Sequence, residues 1–324
     1  MRAVLVAASH LGRQSGNSVT AVRWQSILQD LGWNTTLHNQ FNGESADLMI
    51  ALNAYRSAES ILTFRDRYPD RALIVALTGT DLYRFLRSDP EKTTAAVAAA
   101  DRLVVLNNLA PRVLAADQRD KCFVILESAD PLPAGRKPLT RHFDVCVVGH
   151  LREEKDPLLA ADAVRGLPSS SRIRVRHYGR AHTRDWNVLA QKEMEENPRY
   201  TWFGEVSHWQ IRRALSTSRL MVVSSIMEGG PNCLSEAIAA GLPAVTTDID
   251  GCVGVLGEAY PGYFPVGNSR ALTDLLLRAE QDSAYLYELE EAVAVIAPQF
   301  TREQERRRWA KLLNDLLGSK SPHD

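Results

Sequence analysis

The chain has 324 residues, long for one hydrophobic core and comfortable for two α/β domains. Its 38 Lys and Arg are mixed along the sequence with 39 Asp and Glu, for a formal net charge of −1. No nucleic-acid or anionic-membrane partner is therefore expected, and any anion site has to be local. The start, residues 1–8, is too short for a signal sequence, and no later apolar run reaches membrane-spanning length. Cys122, Cys146, Cys233 and Cys252 lack metal-type spacing, so reduced thiols of a cytoplasmic protein are expected.

In chain order, apolar runs predict strands at 3–8, 35–37, 48–52, 73–77, 103–106 and 123–126, alternating with helical patterns at the pace of βαβ units. The run Gly12-Arg13-Gln14-Ser15-Gly16-Asn17-Ser18 follows the first strand and precedes a helix beginning near Val19. The backbone of that run, with Gly16 and Asn17, is a candidate for contact with phosphate, although the G-x-G-x-x-G spacing of an NAD site is missing. Residues 130–142 hold three prolines and no apolar period, which reads as an interdomain linker. The expected division is 1–138 and 139–324. Strands then resume at 143–149, 173–178, 201–203, 220–223 and 244–246. The tail at about 301–317 places Trp309, Leu312, Leu313, Leu316 and Leu317 at helical spacing, a last amphipathic helix. The fold class expected is α/β, two Rossmann-like doubly wound domains facing a cleft.

The chemistry concentrates at Glu228-Gly229-Gly230-Pro231-Asn232-Cys233-Leu234-Ser235-Glu236, between the strand at 220–223 and a helix stopped by Gly241-Leu242-Pro243. Glycines let backbone amides approach a ligand, and a helix N-terminus offers unpaired N–H groups to an anion, here a pyrophosphate. Glu228 precedes the helix and Glu236 falls in its second turn, so the two carboxylates can face opposite ends of a nucleotide-sugar. After the strand at 143–149 comes Gly149-His150-Leu151-Arg152-Glu153-Glu154-Lys155-Asp156. Arg152 and Lys155 are candidates to neutralise a diphosphate leaving group as its charge grows; taken alone, the segment reads equally well as a solvated charged turn.

The stretches Trp202-Phe203-Gly204-Glu205-Val206, Ser224 through Glu236, and Ala237-Ile238-Ala239-Ala240-Gly241-Leu242-Pro243-Ala244-Val245 resemble the donor-binding half of glycosyltransferase family four. That resemblance implies the GT-B fold, with the acceptor domain first and the C-terminal helix crossing back to it. It implies that Glu228 and the following Gly229, Gly230, Pro231, Asn232 and Cys233 hold the donor sugar, with Gly204 also at the donor. It gives Glu236 the ribose and Lys155 the diphosphate. His150 stands where the family has an arginine, so the cationic clamp is weakened or completed by Arg152. Thr78-Gly79-Thr80-Asp81 resembles the family's His-Gly-Thr-Asp, with Thr78 in place of the histidine.

A narrower resemblance covers nearly the whole chain. Gly16-Asn17-Ser18-Val19-Thr20-Ala21-Val22-Arg23-Trp24, Leu77-Thr78-Gly79-Thr80-Asp81-Leu82-Tyr83, the block from Phe143 to Pro157, Met227 to Glu236 and Tyr260-Pro261-Gly262-Tyr263-Phe264-Pro265-Val266-Gly267 are similar to the selenosugar synthase (SenB) family of selenoneine biosynthesis. The resemblance implies a transferase that joins selenium from selenophosphate to the anomeric carbon of UDP-N-acetylglucosamine or UDP-glucose. Its pathway neighbours would be a selenophosphate synthetase and a selenoneine synthase. Selenophosphate is already anionic and its selenium strongly nucleophilic, so no base is needed and Thr78 is a tolerable replacement. The acceptor phosphate does need cations, and Arg13, Arg23 and Arg56 are candidates, Arg23 being favoured within its block. Asp81 either orients Thr78 or a sugar hydroxyl, or caps the following turn. Trp24 reads as a core aromatic and Cys233 as a small apolar residue at the helix start. No cofactor and no metal are expected. Two alternatives stand beside this reading, a family-four glycosyltransferase acting on a small hydroxyl acceptor and a non-catalytic nucleotide-sugar-binding protein.

Overall fold

The computed structural model describes residues 1–8 and 16–318. They form two compact units. The first comprises the described residues of Met1–Glu127, Gly229–Pro231 and Arg302–Asp324, and the second comprises Ser128–Glu228 and Asn232–Thr301.

In the first unit, β1 (Arg2–Ala7), β2 (Asn34–His38), β3 (Leu48–Leu52), β4 (Ala72–Leu77), β5 (Arg102–Val105) and β6 (Cys122–Val124) make one parallel sheet in the order β2-β1-β3-β4-β5-β6. Its central strands are unbroken apolar runs because helices cover both faces. Ala3, Leu5 and Ala7 pack with Trp24, Ile27 and Leu28 of the helix Gly16–Asp30 and with Trp309, Leu312, Leu313 and Leu316 of the helix Arg302–Gly318. Val4 and Val6, on the other face, pack with Ile61, Phe64, Ala96 and Val97. Strands β2 and β3 flank β1 on opposite sides, so the chain reverses its direction of travel at β1 and β3. The carboxyl ends of such a pair are where open α/β sheets bind ligands.

The second unit repeats the plan. β7 (Phe143–Val148), β8 (Ile173–Tyr178), β9 (Tyr200–Trp202), β10 (Leu220–Val223), β11 (Ala244–Thr247) and β12 (Tyr263–Phe264) form a parallel sheet in the order β12-β11-β10-β7-β8-β9. Here the reversal lies between β7 and β10, where Leu220 stands beside Val145 and Met221 beside Cys146.

Three sequence expectations are revised. The units divide after Glu127 rather than at 138, because the proline-rich segment is pinned within the second unit. Lys137 and Leu139 donate their amides to the Ser216 and Thr217 carbonyls at 2.8 and 3.0 Å, and the Arg136 guanidinium donates to the Gly241 carbonyl at 2.7 Å. Prolines removed the apolar period there without removing the partners. The first helix starts at Gly16 rather than near Val19. Strand β12 was not anticipated, since Pro261, Gly262 and Pro265 confine it to two residues.

Candidate functional site

Two loops meet at the reversal of the second sheet. After β7, residues Glu153–Lys155 form a 3-10 turn closed by Asp156 in the left-handed region at φ 41°. After β10, the Ser224 hydroxyl lies 3.0 Å from both the Lys155 and the Asp156 carbonyls, and the Ile226 amide donates to the Glu154 carbonyl at 2.9 Å. This lacing puts the Lys155 ammonium on the Glu228 carboxylate, which also accepts the Ser225 hydroxyl at 2.6 Å. Burial, the largest single influence, pulls the Lys155 ammonium down, but the raising influences, led by Glu228, together outweigh it and the net displacement is upward. Lys155 therefore stays a cation. Beneath them, Thr247 donates to the Ser225 carbonyl at 2.6 Å, and a Cβ on Gly251 would overlap the Glu228 carbonyl. Sequence reasoning found Lys155 and Glu228 but not Ser225 or Gly251, whose roles follow from tertiary packing alone.

The other donor candidates surround this pair in the second unit. The helix Asn232–Ala240 carries Cys233 and Glu236 and ends at Gly241, whose φ of 68° suits a helix stop. His208, opening the helix His208–Thr217, sits 3.9 Å from Glu236. Burial pushes the Cys233 thiol up to about 12, with Lys155 pulling the other way, so it is a neutral thiol at neutral pH. His150 turns its Nδ1 to the Arg180 amide at 3.3 Å and its ring toward His182. Arg152 lies 3.9 Å from Glu154. Gly204 has φ 68° and accepts the Gly179 amide at 2.8 Å. The sequence Asp248-Ile249-Asp250 follows β11 with Asp-x-Asp spacing, and among the described residues no group of three His, Cys, Asp or Glu is gathered.

His177, unnoticed in the sequence, fixes the base of the first loop. Its Nε2 faces the Gly149 carbonyl at 3.0 Å, which can only accept, so Nε2 carries the proton and Nδ1 accepts from the Tyr200 hydroxyl at 2.9 Å. The ring is 1 % exposed, and burial lowers its pKa from 6.5 to about 4. The folded protein keeps this imidazole neutral where the unfolded chain would protonate it. Stability from this group is thus full above pH 6.5 and is lost as pH falls toward 4, by about 3 kcal/mol over the window. Urea unfolding at stepped pH should show that slope, and His177→Gln should flatten it.

The first unit holds the remaining candidates. Gly229 and Gly230 pack on its strand ends, where a Cβ on Gly229 would overlap the Thr78 carbonyl and one on Gly230 would meet the Leu106 side chain. Asn107, another residue the sequence did not flag, donates its Nδ2 to the Gly229 carbonyl at 2.6 Å and accepts the Leu109 and Ala110 amides. These glycines serve close backbone approach first. Asp81 is fully buried and accepts the amides of Thr78 and Gly79 at 2.9 Å, Ala54 at 2.8 Å and Leu82 at 3.1 Å. Burial raises its pKa against those four donors. Of the two roles open for Asp81, capping the turn is the one built. Asn53, in the left-handed region at φ 69°, reaches Thr78 and Thr80 from the end of β3.

Arg23 is placed differently from expectation. Its guanidinium bonds Glu127 at 2.7 Å and Glu305 at 3.0 Å, and the Trp24 indole donates to the same Glu305 at 2.7 Å. A side chain bound to two buried carboxylates serves the packing of the two helices. Trp24 is a core aromatic as read, 4.8 Å from Trp309. Gly16 and Asn17 open the first helix, while Arg13 and the rest of 9–15 lie outside the described residues. The Arg56 side chain is exposed.

Residues 135–297, half of the chain, match the family model described as Glycosyl transferases group 1. The chain belongs to this family. This group 1 glycosyl transferase is 26% identical over 192 residues to the amylovoran biosynthesis glycosyltransferase AmsK of Erwinia amylovora, a match covering 56% of the chain and 47% of AmsK. The chain thus spans about half the length of that relative. Among solved structures it is similar to Anabaena Alr3699/HepE in complex with UDP, at TM-score 0.78 and 14% identity, covering 98% of this chain and 100% of the other. The UDP-glucose complex of HepE gives 0.75 at 13% identity with the same coverage. Sucrose-phosphate synthase from Thermosynechococcus elongatus gives 0.76 at 14% identity, covering 98% and 99%. These likenesses show the fold, which is GT-B. Among the described residues no helix is long and apolar enough to cross a membrane.

Proposed function

We propose that this glycosyl transferase is a UDP-sugar-dependent selenosugar synthase working in the cytosol. Selenium of selenophosphate attacks the anomeric carbon of UDP-N-acetylglucosamine or UDP-glucose, the bond from that carbon to the diphosphate oxygen breaks with its electron pair, and UDP leaves. The product is a selenium-linked sugar still carrying the phosphoryl group, whose hydrolysis frees the selenol. A selenophosphate synthetase would supply the nucleophile and a selenoneine synthase would consume the sugar. Lys155 and Arg152, with His150 beside them, face the leaving diphosphate, Glu228 the donor sugar and Glu236 the ribose. With these cations in place no divalent ion is required.

The observation that carries the reading is the absence of a base in Thr78-Gly79-Thr80-Asp81. Thr78 does not titrate near neutral pH, and all four contacts to the Asp81 carboxylate are backbone amides. Such a site suits a nucleophile that arrives ionised. The resemblance of the sequence blocks to selenosugar synthases supports the same choice.

The test supplies UDP-N-acetylglucosamine with selenophosphate, thiophosphate, or a panel of sugar and inositol alcohols, reading UDP release and the selenium content of the sugar. Selenophosphate should react best, thiophosphate more slowly and alcohols hardly at all, with no loss of rate in EDTA. Efficient transfer to an alcohol with none to selenophosphate would leave an ordinary glycosyltransferase in its place.

A further inference from the structure

In the first unit, the ends of β3 and β4 carry a small polar device that the sequence motifs do not explain. Asn53 follows β3 in the left-handed region, at φ 69°, one of two such non-glycine residues among those described. Its backbone is held at both ends, the amide donating to the Ala76 carbonyl at 2.8 Å and the carbonyl accepting the Ser57 amide at 2.9 Å. The Oδ1 atom accepts the Arg56 amide at 3.0 Å. Because a backbone N–H can only donate, that contact fixes which way the side-chain amide faces. Its Nδ2 therefore points at the Thr78 and Thr80 hydroxyl oxygens, 3.1 and 3.2 Å away, and both hydroxyls accept.

A hydroxyl that accepts still has its proton to give. Neither Thr78 nor Thr80 donates to any other described residue, and both are only half-buried. Asn53 thus leaves two O–H donors uncommitted at the carboxyl end of β4, beside the end of β3, one of the two strands at which the first sheet reverses. The surroundings are rigid. Asp81 ties Thr78, Gly79, Leu82 and Ala54 together, and the chain continues as a π-helical turn over Asp81–Phe85, a geometry frequent at functional sites. Arg56, whose amide locks Asn53, adds an exposed cation on the same loop.

We propose that Thr78 and Thr80 form a two-hydroxyl subsite for the oxygens of a phosphate-type oxyanion, with Asn53 as the positioning residue that sets both hydroxyls as donors. This rests on the reading that the acceptor is such an oxyanion. Oxygens of an anion only accept, so the subsite fits them and offers nothing to deprotonate an alcohol.

The experiment measures binding of thiophosphate to the UDP-loaded protein by calorimetry, and selenophosphate kinetics separately. Thr78→Val and Thr80→Val should each weaken thiophosphate about tenfold or more, while Thr78→Ser and Thr80→Ser should restore it. Asn53→Asp keeps the left-handed backbone accessible but turns both hydroxyls inward as donors to the new carboxylate, and should weaken thiophosphate at least as much. Affinity for UDP and the melting temperature of Thr78→Val and Thr80→Val should stay near wild type. If the wild type transfers selenium while the Val and Asp variants keep wild-type thiophosphate affinity and Michaelis constant, the subsite is wrong and the function stands. If the wild type binds thiophosphate, loses it in these variants, and yet transfers only to alcohols, the function is wrong and the subsite stands.

Discussion

Arg23→Ala is expected to destabilise the protein by about 3–5 kcal/mol, as breaking a buried ion pair from one side does. Glu127 and Glu305 are 1 % and 0 % exposed, and the Arg23 guanidinium touches both. Burial already raises the pKa of Glu127, with Arg23 as the largest opposing influence. Without that cation, Glu127 would stand buried beside Glu305 with its main compensation gone. The deficit should shrink as pH falls, because protonating a carboxylate removes the uncompensated charge. Arg23→Lys should recover part of the loss, since one ammonium cannot span two carboxylates as a planar fork does. Urea unfolding of the three proteins at neutral and mildly acid pH is the measurement. An unchanged midpoint for Arg23→Ala, with a raised Michaelis constant for the acceptor, would return Arg23 to the substrate.

The second large effect belongs to Lys155 and Glu228. Removing Lys155 takes away one of the cations proposed to meet a departing diphosphate and leaves the Glu228 carboxylate, among the described residues, with the Ser225 hydroxyl. Lys155→Ala should lower kcat by about 10²–10³, the scale of losing one preorganised charge at a transition state. Glu228→Gln should lower kcat comparably while leaving UDP affinity intact, because its proposed contact is with the sugar. The double variant should fall well short of the product of the two effects, as partners in one ion pair do not act independently. By contrast Glu236→Ala should weaken UDP itself in calorimetry. Full multiplicativity in the double variant would show that the pairing has no bearing on turnover.

Much of this architecture was legible because strands buried on both faces advertise themselves as apolar runs, and the Gly-Gly-Pro turn into the helix Asn232–Ala240 has few other readings. The sequence also named Lys155 and Glu228 separately, though nothing in a linear string shows that they touch. What escaped was of two kinds. Asn53, Asn107 and His177 act through hydrogen bonds to residues 25, 122 and 28 positions away in the chain, and a lone polar residue carries no period by which to be noticed. The ion pairs of Arg23 were hidden for a related reason, because a basic residue inside a recognisable block invites a ligand while its carboxylate partners lie at 127 and 305. The proline-rich stretch showed that loss of periodicity marks irregular backbone rather than a boundary.

The helix Arg302–Gly318 completes the core of the first unit, supplying Trp309 against Trp24 and Glu305 against Arg23. On the ribosome this reverses the usual timetable. Residues 1–127 are made before the second unit but lack one wall of their core until residues 302–318 follow. At about 5–20 residues per second, synthesis of the intervening second unit takes on the order of ten to thirty seconds. Throughout that interval the Trp24 face is exposed, whereas the second unit can finish folding ahead of it. A ribosome stalled before residue 302 would therefore carry one finished domain and one awaiting its lid, and the unfinished one is where a chaperone would be needed.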